Sequence, residues 1–61
     1  MPIITVDGPK VADLDSKRTF VQQMTAAAST MFDLPPETII ILFKENTPED
    51  VSVGGTLIID R

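Results

Sequence analysis

Near its start the chain carries a short β-branched run, Ile3-Ile4-Thr5-Val6, closed by Asp7-Gly8-Pro9, a turn composition. This predicts a first strand. From Leu14 to Phe32 the apolar residues Leu14, Val21, Met24, Ala28, Met31 and Phe32 recur at spacings near three and four, with Phe20 and Ala27 widening the stripe. Ser16, Arg18, Thr19, Gln22, Gln23, Ser29 and Thr30 occupy the facing positions. The pattern predicts one amphipathic helix with Met24 and Met31 in the core. Asp13 is its expected N-cap, a carboxylate set where free backbone N–H groups need an acceptor. Pro35-Pro36 should end it, since proline lacks a donor and disfavours a helical conformation in the preceding residue.

Thr38-Ile39-Ile40-Ile41-Leu42-Phe43 is a continuous apolar run, short and rich in β-branched residues, and predicts a second strand buried on both faces. A polar connection, Lys44 to Asp50, leads to Val51-Ser52-Val53, Gly54-Gly55 and Thr56-Leu57-Ile58-Ile59, a hairpin signal. The expected class is α+β: a β-α-β unit with a C-terminal β-hairpin, in one domain spanning residues 1–61. A crossover of this length favours two parallel strands with a right-handed connection. One helix covers one face of such a sheet, so the other face is expected to be buried by a further subunit.

Size agrees with that expectation. A chain of 61 residues buries only about 60% of the surface its unfolded form exposes, and its core needs a supplement. There is no cysteine and no histidine, which excludes disulfides, thiolate and imidazole chemistry, and Cys- or His-ligated metal sites. Association remains. Nine acidic against five basic side chains give a net charge of −4, and no basic cluster follows a phosphate backbone, so nucleic acid is not an expected partner. No apolar run approaches the roughly 20 residues that cross a bilayer, and the N-terminus lacks the basic head and apolar core of a signal peptide. A soluble cytoplasmic protein without a membrane partner is the expectation.

The chemistry with most promise is at Pro2. If Met1 is removed, Pro2 becomes a free secondary amine, and a chain-terminal amine has a reference pKa of about 7.7–8.0. Drying it or setting a cation beside it lowers that value, giving a general base poised near neutrality. The alternative is that proline in second position is simply a common way to begin a protein. Other signals are weaker. Asp13 and Asp15 lack the further acidic spacing of a metal site, Glu49-Asp50 reads as a solvated loop, and a tight turn accounts for Gly54-Gly55.

Met-Pro before an apolar strand, one long amphipathic helix, the connection Asp33-Leu34-Pro35, an isoleucine-rich strand and the terminal "VSVGG" together resemble the 4-oxalocrotonate tautomerase family, particularly its small DmpI-type members. The resemblance implies a β-α-β subunit assembled into dimers and usually hexamers. It implies an isomerase whose amino-terminal proline moves a proton on a small enol or 2-oxo acid such as 2-hydroxymuconate, without cofactor or metal. Cationic side chains hold the substrate carboxylate and polarise the carbonyl, and an apolar wall keeps the proline's pKa low. Carried onto this chain, the base is Pro2. The position of an arginine just ahead of the helix holds Ala12, with Lys10 the nearest cation, and that of a second arginine on strand two holds Ile40. The aromatic wall position holds Val51. Lys44, which shares a strand face with Ile40 and Leu42 if the strand continues that far, stands roughly 13 Å from Ile40. Arg61 is the third candidate cation. The competing expectation is an oligomeric binding or structural module of the same fold without efficient catalysis. Loss of both arginine positions favours the module; the preserved start and glycine hairpin favour the enzyme.

Overall fold

Two β-rich segments far apart in sequence meet side by side. In the computed structural model, which describes Met1–Arg61, β1 (Ile3–Pro9) and β2 (Ile40–Asn46) pair in parallel, from Ile3 opposite Ile40 to Pro9 opposite Asn46. Helix α1 (Leu14–Phe32) forms the crossover, and β3 (Ser52–Val53) and β4 (Thr56–Leu57) form an antiparallel hairpin. The α+β class, the parallel pair and the helix bounds agree with expectation. Strand bounds differ at the end of β1, at both ends of β2, where Lys44–Asn46 extend the strand into the expected connection, and in the hairpin.

β1 runs through Asp7-Gly8-Pro9 instead of turning there, because Lys44, Glu45 and Asn46 continue the ladder beside it. A proline at a strand's last position forfeits at most one ladder bond. β2 starts at Ile40, two residues late. The prolines ahead of it set a 3-10 turn at Pro36–Thr38, in which the Pro35 carbonyl accepts both the Thr38 N–H (3.0 Å) and its Oγ1–H (2.8 Å). The hairpin strands are two residues each, and Ile58–Asp60 form a 3-10 turn where strand was expected. Gly54 (φ 62°) and Gly55 (φ 87°) both lie in the left-handed region, as a two-residue hairpin loop with positive φ at both centres demands. A Cβ on either would touch nothing within 4 Å, so backbone conformation, not space, requires glycine there.

Asp13 caps α1 as expected, its carboxylate accepting from the Asp15 N–H (3.0 Å) and the Ser16 hydroxyl (2.9 Å). Those bonds, the hydroxyl first, hold its pKa below the ordinary carboxylate range. At the far end Asp33 adopts a left-handed conformation (φ 55°) while its N–H reaches Thr30 O and the Leu34 N–H reaches Ser29 O. This closes the helix as a glycine would.

Alternation along the strands gives the sheet two faces. Ile4, Val6, Ile41 and Phe43 face α1, where the Phe20 and Phe43 rings meet with centroids 5.8 Å apart. Ile3, Thr5, Asp7, Ile40, Leu42 and Lys44 form the other, open face. The stripe of α1 toward the sheet is Lys17, Phe20, Val21, Met24, Thr25 and Ala28. The expected stripe was longer: Leu14, Ala27, Met31 and Phe32 are exposed, Met31 to 73%. A helix of 19 residues is about 28 Å long and overhangs a sheet two strands wide.

A subunit built this way buries little. Ala28 is its one fully buried residue, and Ile3 and Leu42 on the open face are 59% and 49% exposed. The radius of gyration is 14.9 Å, against about 10.5 Å for a compact chain of this length. The accessible area is 4766 Å², where a compact monomer of this mass presents about 3900 Å².

Candidate active site

Pro2 stands at the head of β1. The N–H of Ile40 donates to its carbonyl (3.0 Å), extending the ladder one residue upstream and locking the proline to the first residue of β2. Pro2 is half-buried, and Ile3 and Ile40, paired in register, adjoin it. This end of the sheet is apolar. The first cation along β2 is Lys44, four residues on, opposite Asp7 on the open face. The strand does continue that far, so Lys44 shares a face with Ile40 and Leu42.

The other end of the sheet is ionic. Glu45, the one acidic residue of β2, accepts the Val11 N–H (2.7 Å) and pairs with Lys17 Nζ (2.8 Å) through the same oxygen, Oε2. Lys17 also lies over the Phe43 ring, its ammonium 5.2 Å from the centroid. The Lys17 bond first, then the Val11 N–H, hold the Glu45 carboxyl below its usual range, and Lys10 adds a weaker attraction. Lys10 itself is exposed at the start of the β1–α1 connection. Eight residues along an extended chain span about 26 Å, so Lys10 and Pro2 of one copy stand at opposite ends of the sheet.

Beside the ionic end opens a cleft of about 400 Å³ whose lining includes Asp7, Pro9, Asn46, Pro48, Val51 and Ile58. The hairpin supplies part of that lining: the Ile58 N–H donates to Val51 O (2.8 Å), holding these two lining residues together, and the Arg61 N–H donates to Ile58 O (3.1 Å). Val51 is thus a wall residue of a cleft, and Arg61 is tied one turn from its rim. No group of three His, Cys, Asp or Glu side chains is disposed to hold a metal ion, and no helix is long and apolar enough to cross a membrane.

The expected site residues therefore fall into two sets. Pro2 and Ile40 meet at one end; Lys10, Lys44 and Val51 belong to the other without forming one group, Lys44 on the open face, Val51 in the cleft wall and Lys10 beyond β1, while Arg61 follows Ile58 of the cleft lining. Lys17 and Glu45 were not anticipated. Lys17 lies three residues before Phe20 and four before Val21, a spacing that puts it on the apolar stripe, where a long aliphatic stem can pack and its charge find a partner. That spacing was the available signal.

The family model described as "Tautomerase enzyme" matches residues 2–61. Among solved structures, DmpI from Archaeoglobus fulgidus is 41% identical, with a TM-score of 0.83 over 97% of this chain and 100% of that one. The 4-oxalocrotonate tautomerase homologue TTHB242 superposes with a TM-score of 0.91 over 100% of this chain and 97% of that one at 24% identity. A heterohexamer 4-oxalocrotonate tautomerase from Chloroflexus aurantiacus J-10-fl gives 0.83 over 98% and 97% at 22% identity. No curated protein matches the chain. A family match across nearly the whole length supports a function of tautomerase or isomerase type. The chain belongs to the tautomerase family, and its structural neighbours are 4-oxalocrotonate tautomerase homologues, DmpI among them.

Proposed function

We propose that the protein is a cofactor-independent tautomerase of small enol or 2-oxo acids, with Pro2 as general base once Met1 is removed. The ring nitrogen accepts the proton of the substrate's enol hydroxyl and returns a proton to carbon, so that the keto isomer forms and the base is regenerated. The observation that carries this reading is the setting of Pro2: half-buried, beside Ile3 and Ile40, and anchored through its carbonyl by the Ile40 N–H. An apolar setting disfavours the charged amine and lowers its pKa. Fixing the adjoining backbone orients the nitrogen without occupying it.

A single copy leaves the base without a cation. Lys10, Lys44 and Arg61 belong to the other end of the subunit, so the reading includes a composite site in a homo-oligomer, the Pro2 of one copy lying against the cleft of another. Exposed Ile3 and Leu42 on the open face support association. The excess of about 900 Å² over a compact monomer is comparable with one partner's share of a standard interface. We propose assembly from dimers up to a hexamer; the Chloroflexus aurantiacus relative is a heterohexamer. Lys10 is the proposed carboxylate contact, with Lys44 and Arg61 as further cations and Ile40 and Val51 as apolar wall.

A second reading is favoured by Ala12 and Ile40 standing where the family places arginines: a binding or structural oligomer that turns nothing over. Ketonisation of phenylenolpyruvate and 2-hydroxymuconate by Met1-free protein, verified by mass spectrometry, separates the two. Turnover that disappears in an assembled Pro2→Ala variant supports the enzyme, and equal rates in the two proteins end the Pro2 mechanism. Alanine supplies the same carbonyl to Ile40, so the variant keeps its ladder bond.

A further inference from the structure

Around Glu45 at the ionic end stand two lysines, Lys17 and Lys10, and their pairing with it is unequal. Glu45 Oε2 is committed twice, to Lys17 at 2.8 Å and to the Val11 N–H at 2.7 Å. Lys17 is well suited to that carboxylate, because its side chain is only 21% exposed and its ammonium rests over the Phe43 ring. Lys10 adjoins Val11 in the chain and attracts Glu45 from nearby, yet it forms no ion pair with it. Asp13, three residues further on, is engaged in capping α1. We infer that Glu45 and Lys17 are positioning residues for Lys10: Lys17 occupies the Glu45 charge, Glu45 fixes the backbone beside Lys10, and the Lys10 ammonium stays free for a substrate carboxylate. The inference rests on the proposed role of Lys10 as carboxylate contact.

The device has a signature that ordinary structural damage lacks. Removing the Lys17 ammonium leaves Glu45 charged and unpaired, and the nearby cation is Lys10, which Glu45 then captures. Removing both charges returns Lys10 to the substrate. Glutamine at position 45 still offers a carbonyl oxygen to the Val11 N–H, and methionine at position 17 keeps an apolar stem over Phe43.

The experiment measures KM and kcat for phenylenolpyruvate in Met1-free parent, Lys17→Met and Lys17→Met/Glu45→Gln proteins. Lys17→Met is expected to raise KM about three- to fivefold, the scale of one partly exposed charge pair, with kcat nearly unchanged; the double variant returns KM toward the parent. An unchanged KM in Lys17→Met, or a double variant no better than the single one, overturns the inference. The same series is read by equilibrium binding of phenylpyruvate in a Pro2→Ala background, so that failure of Pro2 as base leaves the test intact. Absence of binding by the parent, or one Kd across the series, overturns it as well. Exchange of the Val11 amide proton supplies an independent reading. It is expected to quicken about tenfold in Glu45→Ala, as when a charge-assisted bond is lost, but little in Glu45→Gln; equal exchange in all three proteins contradicts the clamp.

Discussion

The two ends of the β1–β2 sheet differ in chemistry as much as two parts of one small subunit can. At the head of the strands Pro2, Ile3 and Ile40 make an apolar setting held by backbone hydrogen bonds; at their tail Glu45 pairs with Lys17 on the helix side, Lys44 stands opposite Asp7 on the open face, Lys10 follows β1, and a cleft lined in part by Asp7 opens beside them. In a parallel pair both strands begin at one end and finish at the other. A terminal amine must then sit at the head, and residues of both following connections at the tail. Drying a base and holding an anion are opposing demands on local polarity, and the strands keep them about 20 Å or more apart. Under the proposed function, uniting them takes a second copy.

The largest expected effect strikes the apolar end. Pro2→Ala in Met1-free protein is expected to lower kcat/KM by about 10²- to 10⁴-fold, the range of a positioned general base, with the circular dichroism spectrum retained. Mixing that variant with Lys10→Ala after dissociation and reassembly sharpens the comparison. If the two ends serve each other across copies, activity returns in the mixture; a mixture as inactive as its components confines the site to one chain.

Next comes the open face, proposed to join copies. Leu42→Asp puts a carboxylate on the open face, where a buried leucine contributes about 1.5–3 kcal/mol and the change recurs in every copy. Sedimentation should show smaller species and a thermal midpoint that falls on dilution. An assembly indifferent to this substitution would mean that the open face is not its interface.

A smaller effect belongs to the ionic end. The folded-state pKa values of Glu45 and Asp13 are depressed. Their contribution to stability is therefore complete above the unfolded carboxylate range and is lost as pH falls through the depressed values. Denaturation midpoints are expected to decline below about pH 4, less steeply in Glu45→Gln. Parallel acid profiles for parent and variant would remove Glu45 from the account. Smallest, and away from both ends, Asp33→Gly relieves a left-handed aspartate, a strain of about 1–2 kcal/mol offset by about 0.5–1 kcal/mol of added chain entropy, and should stabilise by up to about 1 kcal/mol. As a control it should leave the kinetics unmoved, so altered turnover would break the division between site and scaffold.

Local chemistry in the sequence sufficed for the helix and less so for the strands. Asp13 and Pro35-Pro36 mark α1 correctly because a cap and a helix stop act within a few residues. Asp7-Gly8-Pro9 reads as a turn by composition, but its conformation is decided by a ladder partner some 37 positions away. Lys17 is hidden for a related reason: its charge suggests solvent, while its place in the helical repeat suggests the sheet, and Glu45 and Phe43 resolve the conflict. Met31 was expected in the core, yet the sheet of one copy does not reach it. Pro2 stands out from sequence alone because the chemistry proposed for it needs only a free terminal nitrogen, whereas the separation of Lys10 from it emerges only from strand direction.

The central claim is that Pro2 carries an amine made weakly basic by its apolar neighbours. Titration of the Pro2 nitrogen by ¹⁵N NMR, in assembled protein shown to lack Met1, reads that property directly. The account predicts a pKa below the roughly 7.7–8.0 of an unperturbed chain-terminal amine; a value at or above that range contradicts it.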